Sequence, residues 1–155
     1  MSKGTVVAIF IGSDKNVPLF EVDEINAVSG KGLVGDRYFN RIGTYSSQIN
    51  PGRQVTLIEL ETIEALKRDL NIELGLGESR RNIVTHGIAL NHLIGKRFLV
   101  GTILMLGTRL CEPCGYLEST TYKGVRRALE HRGGLNAQIL KDGILNKGDS
   151  LIIID

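Results

Sequence analysis

The chain has 155 residues, enough for one compact domain over residues 1–155 with its own apolar core. Hydrophobic residues make up 42% and charged residues 23%, and the net charge is only +2, so we expect no nucleic-acid partner. No apolar run is long enough for a transmembrane helix, and we expect no membrane partner. Two cysteines three positions apart do not make the disulfide framework of a secreted domain, which favours a cytoplasmic location.

Short apolar strands dominate the secondary structure that the sequence predicts. In chain order they cover residues 5–11, 19–28, 54–58, 82–85, 97–100, 103–106, 135–140 and 151–154. The pair Asp142-Gly143 is typical of a tight hairpin turn between the last two of these regions. So many short strands in a small chain predict a mainly β fold, a closed β-barrel with short helices attached.

Two helices interrupt the strands. The clearer one runs from Glu61 to Leu70, where Ile63, Leu66 and Leu70 recur at the spacing of one helical face. The second is a short basic helix over residues 124–130. Both are modest in length, so the sheet provides most of the predicted core.

A long polar, glycine-rich segment over residues 29–54 separates the early strands from the rest of the chain. Loops of this length in small domains are usually functional or mobile. Its Gly35-Asp36-Arg37 sequence is a simple turn, or a ligand clamp if the segment folds over a site. Arg37 is therefore a candidate binding residue.

The sequence Cys111-Glu112-Pro113-Cys114 admits four interpretations. The cysteines could simply pack in the core, or supply half of a zinc site with histidine partners. They could form a dithiol redox pair, as in C-x-x-C motifs. Finally, one of them could be a reactive thiolate at a cofactor site, with Arg109 near enough to favour the anion.

Basic residues flank this thiol motif on both sides in the sequence. Arg80 and Asn82 stand at the start of a predicted strand, and Arg132-Gly133 forms a turn before another. Such residues are commonly a solvated cap on a strand. The functional alternative is a phosphate site, because guanidinium groups bind phosphate oxygens in pairs and glycine turns present backbone N–H groups.

Several motifs in a fixed order resemble one family. They are GDRY from Gly35, RQVTLIE, RRNIV followed by GI, LN, LIGKRF and VG, then GTRLCEPCGYLE, HRGGL and a closing GD. This order is similar to that of the MOSC domain, the C-terminal domain of molybdenum-cofactor sulfurases, and most closely to its small stand-alone bacterial members. The resemblance runs from about Gly35 to the end of the chain.

The resemblance implies a strand-rich barrel similar to the barrel domain of pyruvate kinase. Sulfurase members of the family are proposed to carry sulfur toward the molybdenum cofactor. Amidoxime-reducing members hold molybdenum through a pterin dithiolene and one cysteine, and they reduce N-hydroxylated compounds. Carried over, the key cysteine matches Cys114, as metal ligand or persulfide carrier, and Cys111 is the second thiol. The family's Arg-x-Asn motif matches Arg80 and Asn82.

The resemblance therefore predicts a protein that binds the molybdenum cofactor (molybdopterin) or carries sulfur for it. Arg37, Arg80, Asn82 and the Arg132-Gly133 turn would contact the pterin or its phosphate, and Thr85 and Tyr116 would line the pocket. The sequence contains no recognisable sulfur-generating or electron-input domain, so we expect a sulfurase or an electron-donor protein as partner. Reductase activity would depend on such a partner. A thiol redox protein or a non-catalytic binding module is the alternative.

Overall fold

The structure, a computed structural model, describes residues 3–14, 17–40 and 52–155. Part of the glycine-rich segment predicted to be functional, residues 41–51, thus lies outside the described residues. The strands are β1 (Lys3–Ile11), β2 (Phe20–Val22), β3 (Glu24–Val28), β4 (Gly32–Leu33), β5 (Val55–Glu59), β6 (Ile83–His86), β7 (Arg97–Val100), β8 (Ile103–Leu110), β9 (Leu135–Ile139), β10 (Gly143–Asn146) and β11 (Ser150–Ile153). The α-helices are α1 (Arg37–Asn40), α2 (Leu60–Leu70), α3 (Gly115–Thr120) and α4 (Val125–Ala128).

Seven strands close into a barrel, which confirms the predicted fold class. The order around it is β11, β7, β8, β9, β5, β6 and β1, and β1 pairs with β11 to complete the circle. The only parallel pairing among these described strands is β5 with β6, and α2 makes the connection between them. Closure gives each of the seven barrel strands a neighbour on both sides. The eighth strand of this sheet, β2, pairs only with the end of β1 and lies outside the circle.

A small second sheet of β10, β3 and β4 lies beside the barrel. The hairpin predicted at Asp142-Gly143 is wrong: β10 pairs with β3, from Gly143 opposite Ala27 to Asn146 opposite Glu24. The reason is that β8 and β5 already occupy both edges of β9. The segment after β9 must therefore find its hydrogen-bond partners elsewhere.

Apolar side chains fill the barrel interior, because successive side chains of a strand point alternately into the barrel and away from it. Val55 and Leu57 of β5 point inward and are fully buried, while Ile58 of the same strand belongs to a second cluster outside the wall. Phe98 of β7 is among the largest fully buried side chains. The barrel is thus a packed core and has no open channel at these positions.

The second apolar cluster lies between the outer face of β1, β5 and β6 and the helices. Ile63 and Leu66 of α2 and Leu117 of α3 belong to it. Leu70, predicted to share the buried face of α2, is instead exposed. It is the last residue of the helix, directly before Asn71, which ends α2 in a left-handed conformation. Among the described residues, no helix has the length and hydrophobicity needed to cross a membrane.

Strand register brings four strand ends to one level of the barrel wall, beside the middle of β5. Ile9 of β1 is opposite Ile83, Ile83 is opposite Leu57, Leu57 is opposite Leu135, and Leu135 is opposite Leu110. The end of β1 and the start of β6 therefore lie on one side of Leu57, and the end of β8 and the start of β9 lie on its other side. The turns that carry the predicted arginines and both cysteines begin at this level of the wall.

The packing of the barrel core can be tested by comparing the buried Phe98 with the exposed Phe20. Phe98→Ala should lower the free energy of unfolding by about 3–5 kcal/mol, because it leaves a cavity in a close-packed interior. Phe20→Ala, at a side chain that is 54% exposed, should change it by less than about 1 kcal/mol. Urea denaturation measures both values, and similar losses for the two variants would contradict this description of the core.

Candidate functional site

A thiol loop, Cys111 to Cys114, connects the end of β8 to α3. The backbone N–H of Cys111 donates to the carbonyl of Gly134 at 2.7 Å, which joins the loop to the start of β9. A side chain on Gly133 would collide with the Cys111 carbonyl and with Pro113, so only glycine permits this close approach. Cys114 is the residue that precedes α3, in an extended conformation. Both thiols are free and half-buried.

The buried guanidinium of Arg81 joins three segments of the chain. Its Nε donates to the carbonyl of Gly133 at 2.7 Å, and its Nη2 donates to the carbonyl of Cys111 at 3.0 Å. A longer contact of 3.4 Å runs from Nη1 to the carbonyl of Ser79. A buried cation requires hydrogen-bond partners of this kind. Arg81 therefore fixes the position of the thiol loop against the turn that precedes β6.

Arg80 has the opposite orientation, because its backbone is left-handed with φ +60°. Its guanidinium carbon lies 5.5 Å from the centre of the Tyr116 ring, and its Nη1 donates to the carbonyl of Val17 at 2.9 Å. Burial, followed by repulsion from Arg37, lowers the pKa of Arg80 below its ordinary value. A guanidinium nevertheless remains charged at any physiological pH. Arg80 thus brings a partly desolvated positive charge next to an aromatic ring.

Arg37 is held behind Arg80 by a buried ion pair. The Asp36 carboxylate accepts from Arg37 Nη1 at 3.1 Å, and it also accepts from the backbone N–H groups of Gly12 and Tyr38 at 3.1 and 3.2 Å. Arg37 Nη2 donates to the carbonyl of Arg80 at 2.8 Å. Asp36 and Arg37 thereby attach the glycine-rich segment to the end of β1 and to the turn before β6.

These elements enclose a small inner cleft of about 50 Å³. Its lining comprises Arg37, Tyr38, Arg80, Arg81, Cys114, Tyr116 and Leu117. Three guanidinium groups and one thiol thus converge there, with Asp36 as the nearby carboxylate. Positive groups therefore outnumber negative ones among the side chains that line the inner cleft with Cys114.

An outer cleft of about 390 Å³ adjoins the inner one, and Arg80 and Tyr116 line both. Its remaining walls come from the residues 17–19 after β1, the turn at 75–78, and Thr120 and Thr121 at the end of α3. This size falls within the usual range for small-molecule sites. The outer cleft offers an aromatic face, apolar walls, one guanidinium and the Glu78 carboxylate, which accepts from the backbone N–H of Gly75 at 2.7 Å.

Tyr38 is a buried phenol at the inner cleft. It lines the inner cleft together with Cys114, and its ring is 4.5 Å from the guanidinium carbon of Arg37. Burial raises the pKa of the Tyr38 phenol, Arg37 opposes this shift, and the Cys111 thiol adds to it.

The structure brings together four of the residues that the sequence singles out: Cys114, Arg80, Arg37 and Tyr116. Asn82 and Thr85 lie instead in the barrel wall, fully buried. The Asn82 side chain donates to the carbonyl of Phe10 at 3.1 Å and accepts from the backbone N–H of Thr56 at 3.0 Å. It therefore joins β1, β5 and β6, and its predicted contact with a cofactor stays a prediction.

The other candidates surround the thiol loop without lining the inner cleft. Arg109 is exposed on β8. Nε of Arg132 donates to the carbonyl of Ala128 at 2.8 Å, at the end of α4. Gly133 lies beneath the thiol loop, and the Cys111 backbone is bound by Gly134 and Arg81. The cofactor contacts predicted for Arg109, Arg132 and Gly133 likewise stay predictions.

Sequence reasoning did not single out Leu117 as part of the site. It named Asp36 within the Gly35-Asp36-Arg37 sequence and Arg81 within the arginine turn, without the contacts that the structure gives them. Adjacent arginines followed by a strand do signal that one side chain faces inward, but they do not tell which one. Among residues 3–14, 17–40 and 52–155, no group of three histidine, cysteine or acidic side chains is arranged to hold a metal ion. The zinc interpretation of the two cysteines therefore lacks a ligand set there.

The buried pair of Asp36 and Arg37 can be tested against an exposed pair on α2. Asp36→Asn should destabilise the fold by about 3 kcal/mol or more, because it leaves the Arg37 charge buried without its counter-charge. Asp69→Asn removes the exposed partner of Arg68 and should have no measurable effect. Urea denaturation at neutral pH distinguishes them, and an equally harmless Asp36→Asn would show that the pair does not hold the site.

Comparison with solved structures supports the same architecture. The YUAD protein from Bacillus subtilis superposes with a TM-score of 0.79 at 16% identity, covering 97% of this chain and 95% of that one. YiiM from Geobacillus stearothermophilus gives 0.76 at 14% identity, covering 98% and 75%. YiiM from Escherichia coli gives 0.72 at 17% identity, covering 98% and 70%. At such identities the likeness shows a shared fold.

Sequence comparison identifies the family. No curated protein is significantly similar to the whole chain. The family model described as the MOSC domain matches residues 44–152, well over half of the chain, and includes both cysteines and the arginine turn. With the barrel and the thiol loop where the motifs predicted them, this match confirms the resemblance seen in the sequence. The chain belongs to the MOSC domain family.

Proposed function

We propose that this chain handles the molybdenum cofactor through the sulfur of Cys114. The observation that supports the proposal best is that Cys114 and Arg80 line one cleft in a domain of the MOSC family. Cys114 would be the ligand of the metal or the carrier of a sulfur atom for it. Both roles need an accessible sulfur in a positive environment.

The residues present fit this group chemically. Molybdenum is soft enough to prefer thiolate, and Cys114 offers that sulfur at the inner cleft. The outer cleft has room for a flat heterocycle against Tyr116, and Arg80 at the junction can bind a phosphate through its guanidinium. When bound, the cofactor would supply a redox-active metal centre that exchanges electrons and small atoms with a substrate.

The chain's own residues would then have distinct tasks. Arg80 would orient the anionic group and Tyr116 would pack against the ring system. Arg37 adds positive charge but directs its Nη atoms to Asp36 and to the Arg80 carbonyl, so it supports Arg80 and holds its backbone. A sulfurase or an electron-donor protein would be the partner, and reduction of N-hydroxylated compounds would depend on the latter.

The alternative is a thiol redox protein without any cofactor, in which Cys111 and Cys114 only exchange between dithiol and disulfide. The free thiols on one loop are compatible with it. It differs from the proposal in giving no role to Arg80 and the outer cleft, and an experiment can use this difference.

Metal content of protein purified from cells that make the cofactor tests the proposal. The wild type should contain close to one molybdenum per chain, and Cys114→Ala should lose it because the soft ligand is gone. Arg80→Gln should lower both metal and pterin content, the latter measured as pterin fluorescence. The matched control is Arg68→Gln, since Arg68 is exposed on α2 and remote from the cleft lining.

The pattern across these variants decides the matter. Wild type and Cys114→Ala with equal metal content would show that Cys114 is not the ligand. A wild type without molybdenum or pterin, although the same cells load another molybdenum enzyme, would contradict cofactor binding altogether. Normal content in Arg80→Gln would remove the outer cleft from the proposal.

A further inference from the structure

The second thiol, Cys111, has no role in the proposed function, yet hydrogen bonds fix its backbone within the same short loop as Cys114. Its N–H and carbonyl are both bound, to Gly134 and to Arg81. Pro113 stiffens the loop between the cysteines, and Gly133 packs directly beneath it. Two thiols separated by two residues in such a loop have the spacing of C-x-x-C pairs that interconvert with a disulfide.

Both cysteines are half-buried, and both thiols are free. Cys114 lines the inner cleft with Tyr38, and the Cys111 thiol contributes to raising the pKa of that phenol. The two cysteines stand three positions apart on one short loop, whose backbone is fixed at Cys111 and continues into α3 after Cys114.

We propose that Cys111 discharges the sulfur carried by Cys114 and releases it as hydrogen sulfide. The inference rests on the proposed function, in its form where Cys114 carries a persulfide. It adds a further activity to that role: the chain delivers a two-electron-reduced sulfur atom to whatever occupies the clefts.

The reaction balances without an external oxidant. The Cys111 thiolate attacks the Sγ atom of the Cys114 persulfide, a new Sγ–Sγ bond forms, and the bond to the terminal sulfur breaks. The terminal sulfur leaves with the electron pair as HS⁻ and takes up the proton that Cys111 lost. The terminal sulfur is reduced by two electrons, and the two cysteines are oxidised to a disulfide. A dithiol reductant then returns both thiols, as in ordinary thiol–disulfide exchange.

The position of Cys111 on the same loop favours an internal nucleophile over an external one. An attacking group held beside its target has a high effective concentration, which for well-oriented pairs exceeds that of any dissolved thiol by several orders of magnitude.

The experiment uses a persulfidated rhodanese-type sulfurtransferase as donor, without free thiols and without oxygen. After the donor is removed, intact-protein mass spectrometry follows the persulfide, and a sulfide assay follows the released product. Wild type should release about one sulfide per chain and gain a Cys111–Cys114 disulfide. Cys111→Ser should keep the persulfide on Cys114 and release sulfide at least about 100-fold more slowly until a dithiol is added.

Cys111→Ala serves as a second variant, and circular dichroism confirms that both remain folded. If wild type and Cys111→Ser hold the persulfide equally long, the discharge by Cys111 is wrong, while sulfur carriage by Cys114 stands. If neither protein accepts a persulfide on Cys114, both the discharge and the carrier role in the proposed function are wrong. If sulfide appears without a disulfide, another nucleophile acts and the inference fails.

Discussion

The buried guanidinium of Arg81 is the interaction on which the arrangement of the site depends. It donates to backbone carbonyls of three separate segments, at Ser79, Cys111 and Gly133. A desolvated charge makes such hydrogen bonds stronger than neutral ones, and leaving any of them unmade would be costly. Since these segments precede β6, follow β8 and precede β9, one side chain sets their relative positions. The preceding residue, Arg80, has a left-handed backbone conformation, and its side chain points the other way, toward Tyr116.

The barrel could be predicted from the sequence because its strands are short apolar runs separated by turn residues. Val55 and Leu57 point into the barrel and alternate with residues that face outward. In the closed barrel, the strands that these apolar runs form have a neighbouring strand on both sides. Pairing at long range could not be predicted so well. Asp142-Gly143 is a strong local hairpin signal, but both edges of β9 are occupied and β10 pairs with β3 instead. α3 was missed because its six residues follow the thiol loop without a clear apolar period.

The site could be predicted in part. The cysteine motif and Arg80 stood out by residue type, and the cleft contains both. Asn82 stood out for the same reason, yet its amide joins three strands in the barrel wall. The sequence shows which polar groups are present but not where their side chains point. That direction depends on which face of the strand a residue occupies and on the left-handed backbone at Arg80. The roles of Asp36 and Arg81 depend on tertiary contacts with segments far along the chain, and no local pattern encodes them.

The central claim is that the Cys114 sulfur and the Arg80 guanidinium face the same cleft. The most direct measurement compares the alkylation of Cys114 by iodoacetate, an anion, and by neutral iodoacetamide, in a Cys111→Ser background. The account predicts a preference for the anion of up to about tenfold relative to free cysteine, which falls with Arg80→Gln and with added salt. An unreactive Cys114, or the same ratio of rates with and without Arg80, would contradict it.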